Sequence, residues 1–445
     1  MRHFSILLAA LTFLSYAGQN LVAQQATAAP AAITLDEAIA RARRSEPALA
    51  AARAASSNAA IDRSIARAAL LPTVTYHNAY LFTQANGSHN QAGPVGSQSS
   101  PRFIANNAVH EYSSQAVVSE TIGLAQLNEV NRAAAAAAIA SAELEISRRG
   151  LTATVVALFY TATTARDKAA VEQRAADEAT SFVKLTVQRE AQREGAHADV
   201  LKAELTEQQR RRDLADAVLA AEKARVVLAV LLFPDPRTPY EMISPAPATL
   251  PTRADVEAAA ESGNPELQSA LAILRSANLN IKSAQAAYLP DLALNYTYGI
   301  DAEQFAVNGP GGVRNLGYSA SATLDIPVWD WFSTQHRIRQ TQILRDSARV
   351  ALSSAQRTLI AQLDESYNEA SLAQQQLASL QVSVDTARES LRLTRLRYTA
   401  GESTVLEVVD AEGTLTAAEI AQADGTLRYQ QALADLQLLT GTLPS

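Results

Sequence analysis

Hydrophobic positions in the second half of the chain repeat with a helical period over a long distance. Residues 332–399 contain no glycine or proline, and apolar residues recur there every seven positions. The members of this series are Leu363, Ala370, Leu377, Val384, Leu391 and Tyr398. Such heptad spacing is typical of a coiled-coil seam. A comparable run, 126–194, is interrupted by Gly150 alone, so each run predicts a helix on the order of 100 Å long at ~1.5 Å per residue.

A different pattern, apolar and polar residues in alternation, follows each of two Leu-Pro pairs. It predicts four strands at about 73–84, 109–122, 291–300 and 317–328. Loops rich in Gly, Ser, Asn and Pro separate the strands of each pair, at 87–107 and 301–316. A period of two suits strands with one face in lipid and the other in water, although two soluble hairpins would carry the same pattern.

The chain is internally duplicated. Ala66–Pro72 resembles Ala284–Pro290 at an offset of 218 positions, and farther along an offset of 206 relates Gly195 to Gly401. We therefore predict a first repeat at 29–232, a proline-rich connector at 233–253 that packs around the outside of the helices, and a second repeat at 254–445. Each repeat contains a helix, two strands and a long helical hairpin. The hairpins turn at Gly195 and Gly401, where glycine permits a left-handed residue after a helix.

The first 28 residues predict a secretory signal peptide, because a short apolar run follows Arg2 and small residues precede a cleavage site at 26–28. A permanent anchor helix would need a longer apolar stretch. The sequence has no cysteine, which excludes disulfides and thiol chemistry, and its net charge of −7 offers no basic face for nucleic acid. No phosphate-binding loop, metal-ligand spacing or nucleophile with a base is recognisable, so we predict neither an enzyme nor a cofactor or metal site.

Four strands are too few to close a membrane barrel, which needs about 8, and open sheet edges cannot face hydrocarbon. If the strands span a membrane, several chains must combine theirs. Three chains would supply twelve strands, and other oligomers with an even total remain open. A pair of solitary coiled coils is the simpler alternative, but it leaves the strands unexplained.

The order of these elements resembles the outer membrane efflux protein family, the TolC-like outer membrane factors. The resemblance rests on Ile33–Ile39 with Glu46–Leu49 near the start, and on Arg397–Glu412 at the second hairpin turn. It implies a mainly α protein with a membrane β-barrel portion. Three chains would form a twelve-stranded outer membrane β-barrel in a Gram-negative bacterium, and their antiparallel coiled-coil helices would form an α-barrel in the periplasm.

The function that the resemblance implies is that of a passive exit duct in a tripartite efflux pump. The partners would be two further copies of the chain, a periplasmic adaptor protein, an inner membrane pump and outer membrane lipid. Type I protein secretion is an alternative within the same architecture. A soluble periplasmic coiled-coil scaffold is the alternative from another class.

Candidate site residues cluster near the hairpin turns. Glu407 and Asp410 lie three residues apart on one helix face. By the resemblance they line the periplasmic aperture, although a solvated helix face would look the same. The resemblance also places adaptor docking at the tips, at Gly195, Ala196, Gly401, Ser403 and Val405. Ser403 and Leu201 stand where relatives carry a latch arginine and its aspartate, which predicts a tip that is held shut differently.

Two tryptophans, Trp329 and Trp331, follow the last predicted strand. Tryptophan is enriched where a membrane meets water, so this pair predicts a membrane-interface belt. Packing of an aromatic turn against neighbouring helices is the alternative.

Overall fold

The computed structural model describes residues 31–82, 110–244 and 248–442. The predicted signal peptide and the loop at 87–107 lie outside the described residues. The first half contains β1 (Ala31–Ile33), α1 (Leu35–Ser45), α2 (Pro47–Ala68), β2 (Thr73–Phe82), β3 (His110–Ile122), α3 (Leu124–Ala191) and α4 (His197–Leu232). The second half contains β4 (Tyr240–Met242), α5 (Arg253–Gly263), α6 (Pro265–Ala286), β5 (Asp291–Ala302), β6 (Leu316–Asp325), α7 (Ser333–Thr399) and α8 (Val405–Thr440).

The predicted long helices are confirmed as α3 and α7, which have 68 and 67 residues. Each turns back into a shorter partner, so that α3 with α4 and α7 with α8 form two antiparallel hairpins, and α3 also packs on α8. The α7 seam is buried where the heptad pattern places it, for example at Leu363, Ala370 and Leu391. Alanine at seam positions lets the helix backbones approach closely.

Short sequence motifs mark the beginnings of α2 and α6 and of the strands that follow them. Pro47 and Pro265 begin α2 and α6, where a fixed backbone angle and a missing N–H cost nothing. Asn264 accepts a hydrogen bond at 2.9 Å from the Leu267 N–H and caps α6. After α2 and α6 the Leu-Pro pairs end the helical run, and β2 and β5 begin at the residue after each proline.

The four larger strands form one antiparallel sheet in the order β2-β3-β5-β6. Its register pairs Thr73 with Ser119, Val118 with Tyr296, and Asp291 with Asp325. The predicted fourth strand at 317–328 ends three residues early, because β5 begins only at Asp291 and leaves 326–328 without a partner. Within the described residues the outer edges of β2 and β6 pair with no other strand.

The connector packs against the hairpins near the middle of the long helices. Its short strand β4 pairs in parallel with β1, and both join a core that includes Phe159 and Leu228. The Tyr240 hydroxyl donates to the Arg225 carbonyl at 2.7 Å, and burial raises the pKa of Tyr240 to about 12. Among the described helices, none is both long and apolar enough to cross a bilayer.

The two hairpin turns superpose at an offset of 208, since α4 and α8 begin at His197 and Val405. The predicted offset of 206 is therefore wrong by two residues, and Arg193 occupies the place of Gly401. Arg193 has φ 62° and Gly401 has φ 80°, whereas Gly195 is not in the left-handed region. The expected left-handed glycine of the first turn is thus an arginine, whose Cβ makes this conformation costly.

We expect Arg193→Gly to stabilise the protein by about 1 kcal/mol and Gly401→Ala to destabilise it by about 1 kcal/mol. The reason in both cases is the left-handed backbone, which glycine adopts without steric cost. Thermal unfolding followed by circular dichroism at the helical signal measures both changes.

Gly195→Ala is the matched control. A Cβ at Gly195 would lie 3.6 Å from the Arg189 Cβ, an ordinary contact, so this substitution should leave the unfolding temperature unchanged or raise it slightly. If Gly195→Ala were as harmful as Gly401→Ala, the assignment of the two turns would be wrong.

Candidate functional site: the tips of the helical hairpins

A small apolar core holds the ends of the two hairpins together. Its buried members are Phe182, Ala203, Leu391, Tyr398, Val405, Val408 and Ala411, drawn from α3, α4, α7 and α8. The rings of Phe182 and Tyr398 lie 5.2 Å apart between centroids. Val405 is only 3% exposed, so it packs beneath the turn, and the exposed tip is formed by its neighbours.

Glu407 lies in the first turn of α8, which Thr404 caps. Its N–H donates to Thr404 Oγ1 at 3.3 Å, and its carboxylate accepts from the Ser403 hydroxyl at 2.6 Å. The Ser403 hydrogen bond, together with the positive charge of Arg397 3.8 Å away, lowers the pKa of Glu407. The carboxylate therefore carries its charge at neutral pH and lies beside the positive end of the helix dipole.

Asp410 lies one turn farther along α8, on the same helix face as Glu407. Both side chains are exposed in the single chain. The structure thus brings the two predicted aperture residues together as a pair of accessible carboxylates. A single chain does not contain the threefold axis that the prediction requires.

The tip of the first hairpin has a related but weaker cap. Asp199 is equivalent to Glu407 and accepts from the Ala196 N–H at 3.4 Å. Ala196 stands at the cap position and offers no side-chain acceptor. At this tip Ala196 is exposed and Gly195 is half-buried. At the tip of the second hairpin Gly401 is exposed and Ser403 is half-buried. Leu201 is half exposed on the first turns of α4.

Arg189, which no pattern in the sequence singled out, links one hairpin to the other. It lies on α3 and donates to the Tyr398 carbonyl near the end of α7. Its guanidinium carbon also lies 4.7 Å from the centroid of the Tyr398 ring, which is a cation–π distance. Since a helix C-terminus carries partial negative charge, the half-buried guanidinium of Arg189 is also attracted to the end of α7. The contact joins residues 209 positions apart.

Above the tips, ion pairs connect α3 with both helices of the second hairpin. Arg395 on α7 contacts Glu412 on α8 at 2.7 Å and Glu178 on α3 at 3.3 Å. Seven residues after Glu412 on α8, Glu419 accepts from Arg174 at 2.8 Å and from Arg388 at 3.2 Å. Except for Glu412, these side chains line a groove between the hairpins with a volume of about 690 Å³.

The two tryptophans lie in a tight aromatic turn at the other end of α7. Trp329 and Trp331 pack edge to face at 5.7 Å and are 64% and 81% exposed. Trp331 and Phe332 have φ of 55° and 63°, and the carboxylate of Asp330 caps α7 through the Thr334 N–H at 2.7 Å. The turn packs its rings on one another and leaves their outer faces uncovered in the single chain.

We expect Arg189→Gln to lower the free energy of local opening at the junction of the two tips by on the order of 1–2 kcal/mol. The reason is that the substitution removes the cation–π contact and a charge-assisted hydrogen bond. The measurement is amide hydrogen exchange at residues 396–404, which should become several-fold faster.

Arg397→Gln is the matched control, since Arg397 is the equivalent residue of the second hairpin. Its hydrogen bond to the Glu402 carbonyl and its ion pair with Glu407 both stay within that hairpin. It should leave exchange on α3 unchanged. Equal loosening of both hairpins by the two variants would contradict a cross-hairpin role for Arg189.

Comparison with known proteins finds a family match in the second repeat of the chain. Residues 258–442 match the model of the outer membrane efflux protein family. The chain is 26% identical to the outer membrane protein OprJ of Pseudomonas aeruginosa over 39% of the chain and 36% of OprJ. It is 30% identical to the protein CyaE of Bordetella pertussis over 46% of the chain and 45% of CyaE. The sequence matches thus span about a third to a half of these curated relatives.

The fold extends the similarity over nearly the whole chain. The outer membrane protein VceC of Vibrio cholerae superposes with a TM-score of 0.75, covering 92% of this chain and 96% of VceC at 15% identity. Similarity at this identity concerns the fold alone. The predicted family and the outer membrane class are confirmed, and that family consists of channels, not enzymes. Residues 258–442, most of the second repeat, thus match the outer membrane efflux protein family, and the chain as a whole shares the fold of solved outer membrane channels.

Proposed function

We propose that three copies of this chain form an outer membrane channel that serves as the passive exit duct of a tripartite efflux pump. The observation that carries the proposal is a four-stranded sheet at one end of two very long helical hairpins. Its outer strands, β2 and β6, pair with no further strand in the part of the chain that the structure describes. A sheet with open edges is not stable in hydrocarbon. Joining β6 of one copy to β2 of the next removes every such edge once the ring closes.

The two edge strands are suited to each other. Both β2 and β6 have ten residues, and the order β2-β3-β5-β6 places them on opposite sides of the sheet. Large side chains on them, among them Tyr76 and Tyr318, are more than two-thirds exposed in the single chain. Three copies would supply twelve strands, and lipid would then cover these apolar side chains. Trp329 and Trp331 would lie at the membrane interface just below the barrel.

The hairpins would continue the channel through the periplasm as an α-barrel of twelve helices. With its tips farthest from the sheet, the barrel would place Glu407 and Asp410 from three chains around one axis. Six carboxylates at a constriction attract cations. Their exposure in the single chain and their shared helix face support this arrangement.

The tips would also dock a periplasmic adaptor, through which an inner membrane pump supplies energy. Gly195, Ala196, Gly401 and Ser403 offer exposed or half-buried surface there, and Val405 supports that surface from beneath. Type I secretion of a polypeptide remains the alternative within the same architecture. A soluble periplasmic scaffold is less well supported, because it leaves the exposed strands and the aromatic turn without a role.

A cysteine at Thr75 on β2, combined in turn with one at Ser319, Ser321 or Thr323 on β6, should cross-link copies of the chain on oxidation. The expected product is a covalent trimer on a denaturing gel, because the two strands would be hydrogen-bonded neighbours in the ring. A cysteine at Ala116 on the central strand β3 in place of Thr75 is the control and should give no cross-link. Monomer alone from every pair would contradict the closed ring.

Glu407→Gln together with Asp410→Asn should reduce the cation selectivity of single channels in planar bilayers and weaken their block by millimolar divalent cations. Both substitutions keep the size of the side chain while removing six charges from the trimer. Glu261→Ala with Glu266→Ala, on exposed positions of α5 and α6, is the charge-matched control. If selectivity and block are unchanged in the first variant, the two carboxylates do not line the aperture.

A further inference from the structure

Arg395 is shared between two carboxylates that belong to different structural units. A single nitrogen, Nη2, lies 2.7 Å from Glu412 Oε1 and 3.3 Å from Glu178 Oε2. Glu412 is on α8, the hairpin partner of α7, so its bond to Arg395 stays within the second hairpin. Glu178 is on α3, so its bond crosses to the first hairpin. The bond of Arg395 that crosses between the hairpins is the longer of the two.

The two carboxylates differ in their surroundings. Glu412 is 6% exposed, whereas 39% of the Glu178 side chain reaches solvent. The charged groups that face Glu412 are Arg395 from α7, Arg210 from α4 and Glu178 from α3. Burial raises the pKa of Glu412 above its usual 4.5 and Glu178 adds to the rise, while the two arginines oppose it. Two carboxylates around one guanidinium form a cluster in which protonating one acid relieves repulsion.

The sign of the response follows from this pKa. A carboxyl whose pKa is raised by the fold favours its protonated form in the folded state, so its protonation stabilises the fold as the pH falls. A neutral Glu412 competes less for the charge of Arg395. The guanidinium is then attracted mainly by Glu178, which remains in contact with water.

We propose that Arg395 is an acid-responsive tie between the two hairpins, in which protonation of Glu412 transfers Arg395 to Glu178 and tightens the contact of α7 with α3. The proton comes from solvent, and only hydrogen bonds are exchanged. Arg395 is a positioning residue in this scheme, and Glu412 sets its pH response. The consequence for conduction rests on the proposed function: tips that are drawn together in acid would conduct less.

The test measures the distance between hairpins and needs no conduction. The sequence has no cysteine, so spin labels can be placed at Ser181→Cys on α3 and Ser390→Cys on α7, both exposed. Labelled chain is diluted into unlabelled chain, so that distances between copies do not contribute. Between about pH 7.5 and about pH 4.5, we expect the distance distribution to narrow, with a midpoint above the ordinary glutamate value.

Three variants make the outcome decisive. Glu412→Gln should give the narrow distribution at both pH values, because it imitates the protonated acid. Arg395→Gln should give the broad distribution at both. Glu389→Gln, which removes an exposed carboxylate paired with Arg392 within α7, should keep the full acid response. A Glu412→Gln protein that still narrows in acid would overturn the proposal, and so would an unaltered distribution in the parent chain.

A failure of this proposal can be distinguished from a failure of the proposed channel function. If the distribution responds to acid while no channels form in bilayers, the tie exists and the channel function fails. If channels form but the distribution is insensitive to pH, the channel function survives and the tie fails.

Discussion

Close packing along α3 is the interaction on which the rest of the structure depends. This one helix contacts α1, α2, α4, α6 and α8, and it therefore touches both repeats and both hairpins. Many of its buried residues are small, such as Ala135, Ala142, Ala162 and Thr163. Small side chains allow several helices to approach one backbone closely, but each contributes little apolar area. The fold consequently gains its stability from the length of α3, because contacts that each bury a small apolar area are repeated over 68 residues.

Because contacts between small side chains bury little apolar area, charged residues contribute to the packing of the two hairpins toward the tips. The tip core has seven buried members, and beyond it the hairpins meet through arginines. Arg189 reaches from α3 to α7, and Arg395 reaches from α7 to α3. A junction made of ion pairs responds to water and to protonation, whereas an apolar core has no group that titrates. The tips are thus the part of the described chain that is easiest to open without unfolding the long helices.

The strands impose a second constraint, at the opposite end of the helices. Hydrogen bonds within the sheet join β3 and β5 to a strand on each side, whereas β2 and β6 each pair with one strand among the described residues. Tyr76 on β2 and Tyr318 on β6 remain more than two-thirds exposed in the single chain, although Tyr318 stacks on Tyr296 of β5. Both facts point away from a self-contained monomer and toward assembly with further copies in a medium that covers apolar side chains. Assembly and membrane insertion are therefore coupled in the proposed function.

The sequence by itself determined the elements and their order. Heptads over 332–399 predicted α7, alternation after Leu-Pro predicted β2 and β5, and the internal repeat predicted two equivalent hairpins. These features are local, because periodicity and proline depend on neighbours within a few residues. The spacing of Glu407 and Asp410 is local in the same sense, so their shared helix face was predictable.

Only the tertiary structure decided how the hairpins are joined and which residue closes each turn. A pattern of glycines suggested that Gly195 matches Gly401, but the backbone places Arg193 there. The contacts of Arg189 with Tyr398 and of Arg395 with Glu178 join residues more than 200 positions apart. Arginine on a long polar helix face is common, and its partner depends on the rotation and register of two helices. Those quantities are set by packing along the entire seam, and no short stretch of sequence contains them.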